Sequence, residues 1–382
     1  AKTATGPGHA TLSTGLFPAR SGIVGNDWLE RTPDGWRSVY SVEDTLTHIL
    51  GLPALDGRSP ANLLRGGLAD WIAEADSGAI VVSASRKDRA AITMAGKTRG
   101  HTYWIAENEA HWVTSSFYRT SYPDWVDRIN LIQMPVIFGD SIWEQTVPVP
   151  VRKASRADSS AYEGDGVHTF FPHKFVNEVQ DTAQRGALNR WGYGLTAPDV
   201  ALGAFAKEAV RALGMGRDET VDFLALSFSQ TDAIGHDYGP FGREQLQNLL
   251  QLDQTLGDLM AFLDEELGEG HWLMALSGDH GVLTIPEHRE DVGEPAGTRA
   301  TREDLTRLWN TFRDYQATDG DPQELADSIV SALENLPFVA DAMTVLELTT
   351  PPPVDSFAVL MRNSYHPDRW IGEYGSQGTG VV

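Results

Sequence analysis

The strongest constraint on the fold is a strand–helix–strand pattern over residues 221–277. Residues 221–228 and 272–277 are short apolar runs typical of buried strands, and 243–267 between them carries leucines at helical spacing. Two strands joined by a helix form a parallel sheet with a right-handed crossover. Residues 79–83 show the same pattern of a buried parallel strand. The sequence therefore predicts an α/β fold with a doubly wound, mainly parallel sheet between helices.

Polar residues of the kinds used in catalysis follow all three predicted strands. They are Lys87 and Arg89, Asp232 and His236, and Asp279 and His280. In sheets of this class, ligands bind at the carboxyl ends of the strands. The candidate site is therefore expected at that edge of the sheet, and these residues are its first candidates.

The first residues of the chain add a candidate nucleophile. Residues 3–15 read TATGPGHATLSTG, and Pro near the start with Gly at the end predicts a short helix over 7–14. The hydroxyl of Thr5 then lies at a helix N-terminus, where free N–H groups and the helix dipole favour an anion. A hydroxyl beside a bound phosphate is placed to attack it. The alternative, which this stretch alone favours, is that Thr5 only caps the helix.

Asn26 and the pair Lys87 and Arg89 are candidates for binding that anion. Asn26 follows a Gly-flanked connection. An Asn at such a place either adopts a turn conformation with positive φ or an Asx turn, or binds a ligand through its amide. Lys87 and Arg89 are two residues apart, so in an extended segment both face the same side. An anion between them would relieve their repulsion, whereas the alternative is a solvated run of charges.

The two Asp–His pairs are candidates for metal binding. The sequence has no cysteine, so any metal must be held by Asp, Glu, His or hydroxyl oxygen. A single Asp–His pair is usually a hydrogen-bonded pair, but two pairs in Gly-containing loops after apolar strands favour metal ligands. Metal coordination would lower the pKa of a threonine hydroxyl, and a second metal would stabilise the leaving oxygen.

Composition limits the partners. Acidic residues outnumber basic ones 53 to 30, and the formal net charge of −23 argues against a nucleic-acid backbone as partner. No apolar run is long enough to span a membrane. The 382 residues, of which 41% are hydrophobic, suffice for one large domain with insertions.

Two stretches depart from the α/β pattern. Residues 95–197 are rich in Trp, Tyr, His, Pro and Gly and have poor periodicity, which predicts an inserted cap with substrate contacts and few regular elements. Residues 290–345 are predicted to form a smaller helical insertion. Helices are also predicted over 59–75 and 198–213, and a strand over 356–361.

Four motifs, in this order, resemble the alkaline phosphatase superfamily. They are TGPGH at 5–9, GND at 25–27, Asp232 with His236, and SGDHG at 277–281. The chain is most similar to the type I phosphodiesterase/nucleotide pyrophosphatase-like branch, which includes threonine-nucleophile alkaline phosphatases of the PafA type. The likeness extends to the GTG tail at 378–380 and implies the superfamily's fold and a periplasmic or secreted location.

The resemblance also implies a role for each candidate residue. Thr5 is expected to be the nucleophile that becomes phosphorylated, and Asn26 to contact a phosphoryl oxygen. Two Zn²⁺ ions are expected, one on Asp232 and His236, the other on Asp279, His280 and the Thr5 oxygen. Lys87 and Arg89 match the Lys-x-Arg pair of the monoesterase-type members, which diesterase-type relatives generally lack.

The expected function is therefore that of an alkaline phosphatase-type phosphomonoesterase acting on small-molecule phosphate esters. The alternatives are a phosphodiesterase or nucleotide pyrophosphatase, and a non-catalytic relative that binds ligands. Sulfate-ester, phosphonate or mutase chemistry is a further alternative. Sulfatases usually carry Cys or Ser at the nucleophile position, and this chain has no Cys.

The resemblance leaves each zinc one ligand short within residues 1–382. The family's missing ligands are an Asp at the end of strand one, upstream of the nucleophile, where four residues precede Thr5, and a His in a Gly-Thr-x-His-Gly-type loop near the C-terminus, where two residues follow Gly380. We therefore expect residues 1–382 alone to be poorly soluble, or to bind zinc weakly and hydrolyse phosphate esters negligibly.

Overall fold

A computed structural model describes residues 3–32, 35–106, 110–138, 142–163, 168–174, 195–297, 301–316, 320–339, 341–350 and 356–370. The chain folds into two compact units. The first unit comprises residues 1–11, 15–41 and 286–382, and the second unit comprises residues 12–14 and 42–285. The sequence-based division into one catalytic domain with insertions at 95–197 and 290–345 stays a prediction.

Helices and strands alternate in 68–106 and 197–238, the parts of the chain that supply the parallel strands of the main sheet. The helices are α1 (Thr5–Thr14), α2 (Pro18–Ser21), α3 (Leu68–Ala75), α4 (Asp88–Ala95), α5 (Asp124–Arg128), α6 (Met134–Ile137), α7 (Ala197–Leu213), α8 (Gln230–Tyr238), α9 (Arg243–Leu267), α10 (Pro286–Asp291), α11 (Arg302–Gln316), α12 (Pro322–Glu334), α13 (Val345–Thr349) and α14 (Ser356–Ser364). The strands are β1 (Asp27–Thr32), β2 (Gly35–Tyr40), β3 (Glu43–His48), β4 (Asp56–Arg58), β5 (Val81–Ser85), β6 (His101–Ala106), β7 (His111–Val113), β8 (Ile142–Trp143), β9 (His173–Lys174), β10 (Phe223–Ser227) and β11 (Arg369–Trp370).

The second unit is built on a four-stranded sheet of order β10-β5-β6-β7. Strand β5 pairs in parallel with both β10 and β6, and only the edge strand β7 runs antiparallel to its neighbour. The register sets Ser227 of β10 opposite Ser85 of β5, so both strands end at the same level. The predicted, mainly parallel sheet is confirmed, with the turns after β5 and β10 side by side.

The core of the second unit holds these strand ends in place. Every residue of β5 is buried, as expected for the central strand of a parallel sheet. Phe205 of α7 packs on the rings of Tyr103, Trp112 and Trp125, with centroids 4.3 to 5.3 Å apart. Such close packing leaves little freedom for the sheet to shift against α7.

The long helices were predicted accurately. Helix α7 spans Ala197–Leu213 and ends at Gly214 with a φ of 70°, a left-handed conformation that glycine adopts at low cost. Helix α9 spans Arg243–Leu267, and α11 and α12 lie within 290–345, where helical structure was expected. Within the described residues, no helix combines the length and the apolar character needed to cross a membrane.

The predicted strand over 272–277 was wrong. The structure describes these residues as irregular backbone, and no strand pairing joins them to other described residues. Leu273 is 96% and Leu276 is 76% exposed. A strand exists only through hydrogen bonds to a neighbouring strand, and an apolar run indicates a tendency to pair without supplying the partner.

Two further predictions needed correction. Residues 356–361 begin helix α14 instead of forming a strand, because a short apolar run does not distinguish the two structures. In the predicted helix over 59–75, only Leu68–Ala75 is helical. Pro60 and the pair Gly66 and Gly67 interrupt the start of that stretch. Of its supposed apolar face, Leu63 is buried, whereas Leu64, Leu68 and Trp71 are 40 to 52% exposed.

Residues 95–197 contain more regular structure than their composition suggested. Strands β6 and β7 lie in the main sheet, and Trp125 of α5 lies in its core. Aromatic side chains on these elements conceal the periodicity because they are buried on more than one side. Residues 164–167 and 175–194 of this region lie outside the described residues.

The first unit has an antiparallel sheet of order β11-β1-β2. Arg369 of β11 contacts Glu30 of β1, with 3.5 Å between Nε and Oε1, and its guanidinium carbon lies 5.1 Å from the centroid of the Trp28 ring. A small apolar cluster on α12, which includes Ile329 and Leu333, supports the helical part of this unit.

Candidate active site

Thr5 is the first residue of α1, two residues earlier than the predicted start. Ala4 occupies the N-cap position, with extended backbone at φ −149° and ψ 152°. The interpretation of Thr5 as the N-cap is therefore wrong, because it lies inside the first turn. Its side chain is buried, and its carbonyl oxygen accepts a hydrogen bond from His9 Nδ1 at 2.9 Å. His9 is thus hydrogen-bonded within its own helix.

Asn26 is bound to the start of the same helix. The backbone N–H of Gly6 donates to Asn26 Oδ1 at 2.8 Å. A Cβ atom at Gly6 would lie 3.1 Å from the carbonyl oxygen of Gly25 and 3.2 Å from Asn26 Oδ1, so any side chain here would push both atoms away from the helix start. Among the described residues, Ala110 is the non-glycine residue with positive φ, so backbone conformation does not explain Asn26. The side-chain carbonyl of Asn26 thus accepts from α1, and its NH₂ group is the part that can donate to a ligand.

In the second unit, Lys87 binds Asp232. Lys87 is the N-cap residue of α4, and its ammonium forms an ion pair with Asp232 Oδ2 across the ends of β5 and β10. Burial lowers the pKa of Lys87, while the Asp232 charge opposes this effect. The strand-end placement predicted for both residues is thus observed.

Arg89 does not lie in an extended segment with Lys87, as the sequence had suggested. The chain turns into α4 at Asp88, so Arg89 is in the first helical turn while Lys87 is still extended. Repulsion from Arg89 nevertheless contributes to the lowered pKa of Lys87, so the two cations lie within electrostatic reach. Asp88, between them in sequence, is bound by Arg58 Nε at 2.8 Å.

The two Asp–His pairs come together around one carboxylate. His236 Nε2 lies 3.3 Å from Asp232 Oδ1, as expected for residues four apart on α8. His280 Nε2 lies 3.5 Å from Asp279 Oδ2 and 3.9 Å from Asp232 Oδ1. The sequence therefore predicted a real cluster, although Asp279 and His280 follow an irregular segment instead of a strand.

The charges in this cluster stabilise one another. Burial would raise the pKa of the Asp232 carboxyl, but the hydrogen bond to His236 and the Lys87 ammonium outweigh it and hold the pKa well below its usual range. The same hydrogen bond raises the pKa of His236. Asp232 is thus kept ionised, the state in which a carboxylate binds a cation.

The donor atoms suit zinc in type and in pairwise spacing. Two ligands of a tetrahedral zinc, each about 2.0–2.2 Å from the metal, lie about 3.3–3.6 Å apart. The Asp232–His236 and Asp279–His280 separations, 3.3 and 3.5 Å, match that spacing. His280 Nδ1 lies 3.0 Å from the Gly281 carbonyl, to which it can only donate. This contact leaves Nε2, which faces two carboxylates, as the nitrogen that a metal ion would bind.

Each pair nevertheless falls short of a complete site by itself. Over the part of the chain that the structure describes, no three His, Asp or Glu side chains are arranged so that they could hold a metal ion. Catalytic zinc sites generally use three protein ligands. The structure gathers Lys87 and the two pairs in the second unit, whereas Thr5 and Asn26 belong to the first unit.

A buried hydrogen-bond network that the sequence did not reveal joins the turns after β5 and β10. Ser85 Oγ donates to the Ser227 carbonyl at 3.0 Å, lies 3.1 Å from Ser229 Oγ and accepts the N–H of Lys87 at 3.1 Å. Arg86 Nη1 donates to Gln230 Oε1 at 3.1 Å. Serines at strand ends are too common to signal such a network in advance.

Comparison with known proteins places this arrangement in context. Residues 2–373 match the family model described as type I phosphodiesterase / nucleotide pyrophosphatase. The chain is 34% identical over 289 residues to the alkaline phosphatase PhoV of Synechococcus elongatus, covering 74% of this chain and 51% of that protein. It is 30% identical over 286 residues to the alkaline phosphatase PafA of Elizabethkingia meningoseptica, covering 73% and 51%. The chain spans about half the length of the curated relatives it matches.

The same likeness holds for the backbone. The crystal structure of wild-type alkaline phosphatase PafA matches this chain with a TM-score of 0.85 at 24% identity, over 96% of this chain and 74% of that one. Identity at this level speaks for the fold alone. The expected alkaline phosphatase-like α/β fold is thereby confirmed.

Proposed function

Because the chain belongs to the type I phosphodiesterase / nucleotide pyrophosphatase family, we propose that it hydrolyses phosphate esters as an alkaline phosphatase-type phosphomonoesterase. The observation that carries the proposal is the cluster at the strand ends, where Lys87, His236 and His280 surround the Asp232 carboxylate. A cation and two imidazoles around an ionised carboxylate suit metal-assisted attack on an anionic ester.

Two Zn²⁺ ions are the proposed cofactors. Asp232 and His236 would hold one, and Asp279, His280 and the Thr5 oxygen would hold the other. When bound, such ions activate a hydroxyl nucleophile and stabilise the charge on the leaving oxygen. In the structure, the Lys87 ammonium pairs with the Asp232 carboxylate. Once a metal binds that carboxylate, the ammonium would be able to bind the phosphoryl group instead.

The residues of the chain divide the remaining work. The Thr5 oxygen attacks phosphorus and displaces the alcohol, giving phosphothreonine, which water then hydrolyses to free threonine and inorganic phosphate. Asn26, whose carbonyl is held by Gly6, donates its NH₂ group to a phosphoryl oxygen. Lys87 and Arg89 bind the other phosphoryl oxygens and favour a monoester dianion, which carries more negative charge than a diester.

The proposed substrates are small-molecule phosphate esters, and the proposed location is the periplasm or outside the cell. PhoV and PafA, two of the relatives, are bacterial alkaline phosphatases, which supports the substrate class, whereas the location follows the family resemblance. The net charge of −23 makes a nucleic-acid backbone an unfavourable partner. Diester hydrolysis is the second candidate function, because the family description itself names phosphodiesterases.

Three chromogenic substrates separate these functions. In a protein that also supplies the two further zinc ligands implied by the resemblance, we expect p-nitrophenyl phosphate to be hydrolysed with a much higher kcat/KM than bis-p-nitrophenyl phosphate, and p-nitrophenyl sulfate to be hydrolysed least. Metal analysis of the active protein should find about two zinc ions per chain, as a two-metal mechanism requires. A preference for the diester would favour the second candidate. If the protein neither binds metal nor hydrolyses any of the three substrates, the remaining interpretation is a non-catalytic relative that binds ligands.

A further inference from the structure

The amino end of α8 is capped by a residue from another helix. Its own N-cap residue, Ser229, makes no side-chain cap hydrogen bond. Instead, the Asp199 carboxylate in the first turn of α7 accepts the N–H of Ser229 at Oδ1, at 3.0 Å, and that of Gln230 at Oδ2, at 3.3 Å. One side chain, 30 residues earlier in the chain, thus satisfies two N–H groups that a helix start leaves unpaired.

A buried carboxylate is a costly choice for this purpose. Asp199 is 2% exposed. Burial raises the pKa of Asp199 to about 7, although the two N–H donors and the charges of Arg86 and Lys87 favour its ionised form. As an N-cap, a serine accepts the N–H of the second or third helical residue, so the Ser229 side chain could not replace Asp199 at the N–H groups of Ser229 and Gln230. Because Asp199 belongs to α7, the two hydrogen bonds that satisfy these groups also fix the start of α8 against that helix.

The position that Asp199 fixes is that of Asp232. Asp232 follows two residues after Gln230, in the first turn of α8. Since an α-helix turns about 100° per residue, a slight rotation of α8 would carry the Asp232 oxygens away from their neighbours. Ser229 also contacts Ser85, which accepts the N–H of Lys87. The capped end of α8 is thus tied directly to the turn that supplies the ammonium partner of Asp232.

We propose that Asp199 is a positioning residue that holds α8 so that Asp232 faces Lys87 and His280. Its catalytic meaning rests on the proposed function, because Asp232 is there a zinc ligand. Replacing a residue that hydrogen-bonds to and orients a metal ligand commonly lowers metal affinity or activity about 10- to 100-fold. Asp199 acts through backbone N–H groups of the ligand-bearing helix in the same way.

The chain offers a matched control for this proposal. Asp222 also accepts two backbone N–H groups with its carboxylate, those of Ile80 and Gly216, each at 2.7 Å. It precedes β10, however, and so lies at the amino end of the strands, away from the candidate site. Replacing it removes the same kind of interaction without disturbing α8.

The test compares Asp199→Asn, Asp199→Ala and Asp222→Asn in the otherwise unchanged protein. Asn keeps one acceptor for the two N–H groups and Ala keeps none. We expect zinc affinity, measured by chelator competition, to fall about 10-fold in Asp199→Asn and towards 100-fold in Asp199→Ala. For p-nitrophenyl phosphate, kcat should fall while KM changes little. Asp222→Asn should lower the melting temperature and leave zinc affinity and kcat at wild-type values.

A third readout needs neither metal nor activity. In metal-free protein, hydrogen exchange at the N–H groups of Ser229 and Gln230 should accelerate in Asp199→Asn and not in Asp222→Asn. The zinc and kcat readouts require a protein that also supplies the two further ligands implied by the resemblance. If that protein binds no zinc and is inactive, the proposed function fails, and this exchange result still decides the capping role. Normal zinc affinity, kcat and exchange in both Asp199 variants would overturn the proposal.

Ser85→Ala provides a second variant if replacing Asp199 prevents folding. It trims one buried hydroxyl that joins Ser229 to the Lys87 turn. We expect a smaller loss of zinc affinity and kcat, about 3- to 10-fold, with KM again little changed. Wild-type values for both in a folded Ser85→Ala protein would count against positioning through this network.

Discussion

Helix α8 and the 272–285 segment each carry one Asp–His pair of the candidate site, but the protein holds them differently. Helix α8 is bound at its amino end by Asp199 and at the carbonyl of Tyr238, its last residue, by Arg156 Nη2. Two side chains of α9 bind Thr231 in its first turn. Asp232 and His236 therefore project from a helix that is restrained along its length.

The 272–285 segment is described completely and forms neither helix nor strand. Leu273 and Leu283 are 96% and 91% exposed, and His280 is bound by the carbonyl of Gly281, its neighbour in sequence. The two Asp–His pairs thus differ in how strongly the surrounding structure fixes the positions of their side chains. We expect the α8 pair to keep its geometry without metal, and the Asp279–His280 pair to depend more on a ligand.

The largest expected difference is in local stability. Hydrogen exchange in residues 1–382 should be at least about 10³-fold slower for α8 than for 272–278, because the helix opens only with its restrained surroundings. Mass spectrometry of peptides from both regions measures this directly. The contrast would fail if 272–278 were protected as strongly as α8.

Replacing the two carboxylates should sharpen the contrast. Asp232→Asn removes the partner of Lys87 and His236, so we expect turnover to fall about 10³-fold and metal-free stability to fall by about 1–2 kcal/mol. Asp279→Asn should also impair turnover, but should change metal-free stability by less than about 0.5 kcal/mol. Denaturant titration of metal-free protein distinguishes the two. Equal stability losses would contradict the account.

The cations beside the restrained helix should determine substrate preference. Replacing Lys87 and Arg89 by Ala should lower kcat/KM for p-nitrophenyl phosphate by about 10²-fold, and that for the diester much less. The matched control replaces Lys207 and Arg211 of α7 by Ala. Both lie over the Phe262 ring of α9, and their replacement changes the net charge by the same amount. Equal losses on monoester and diester would remove the assigned role.

The smallest expected effect concerns pH and the carboxyl end of α8. Glu163 binds Arg156, which holds the Tyr238 carbonyl, and burial raises the pKa of Glu163 to about 7 from 4.5. The folded protein therefore keeps a proton that the unfolded chain loses. This contribution to stability is complete below pH 4.5 and is lost as pH rises to about 7. Glu163→Gln should flatten the decline of unfolding free energy over that window.

The parts of the structure that follow from local pattern were predictable, and those that follow from long-range contact were not. Helix α9 matches its predicted bounds because a long amphipathic repeat has one solution. The 272–277 run reads as a strand, yet pairing depends on a neighbour that periodicity does not describe. Asp199 looked like an ordinary acidic residue after a helix start, because nothing in its surroundings announces a contact 30 residues away.

The candidate site shows the same division. Asp232 and His236 were predictable as a pair, because a spacing of four on a helix fixes their contact. The approach of His280 to Asp232 at 3.9 Å depends on the tertiary fold, and motif order supported it only through family resemblance. Arg89 was misplaced because the helix start at Asp88 was not anticipated.

The central claim is that Thr5 carries the phosphoryl group during hydrolysis. The direct measurement is to quench the protein with acid during turnover of p-nitrophenyl phosphate and to map phosphorylated peptides by mass spectrometry. In a protein that also supplies the two further zinc ligands, the account predicts one phosphoryl group on Thr5 and none on Thr3, Thr11 or Thr14. It predicts none in Thr5→Ala of the same protein, whose kcat falls by several orders of magnitude while zinc content persists. Near-normal turnover by Thr5→Ala, or a phosphoryl group trapped on another residue, would contradict it.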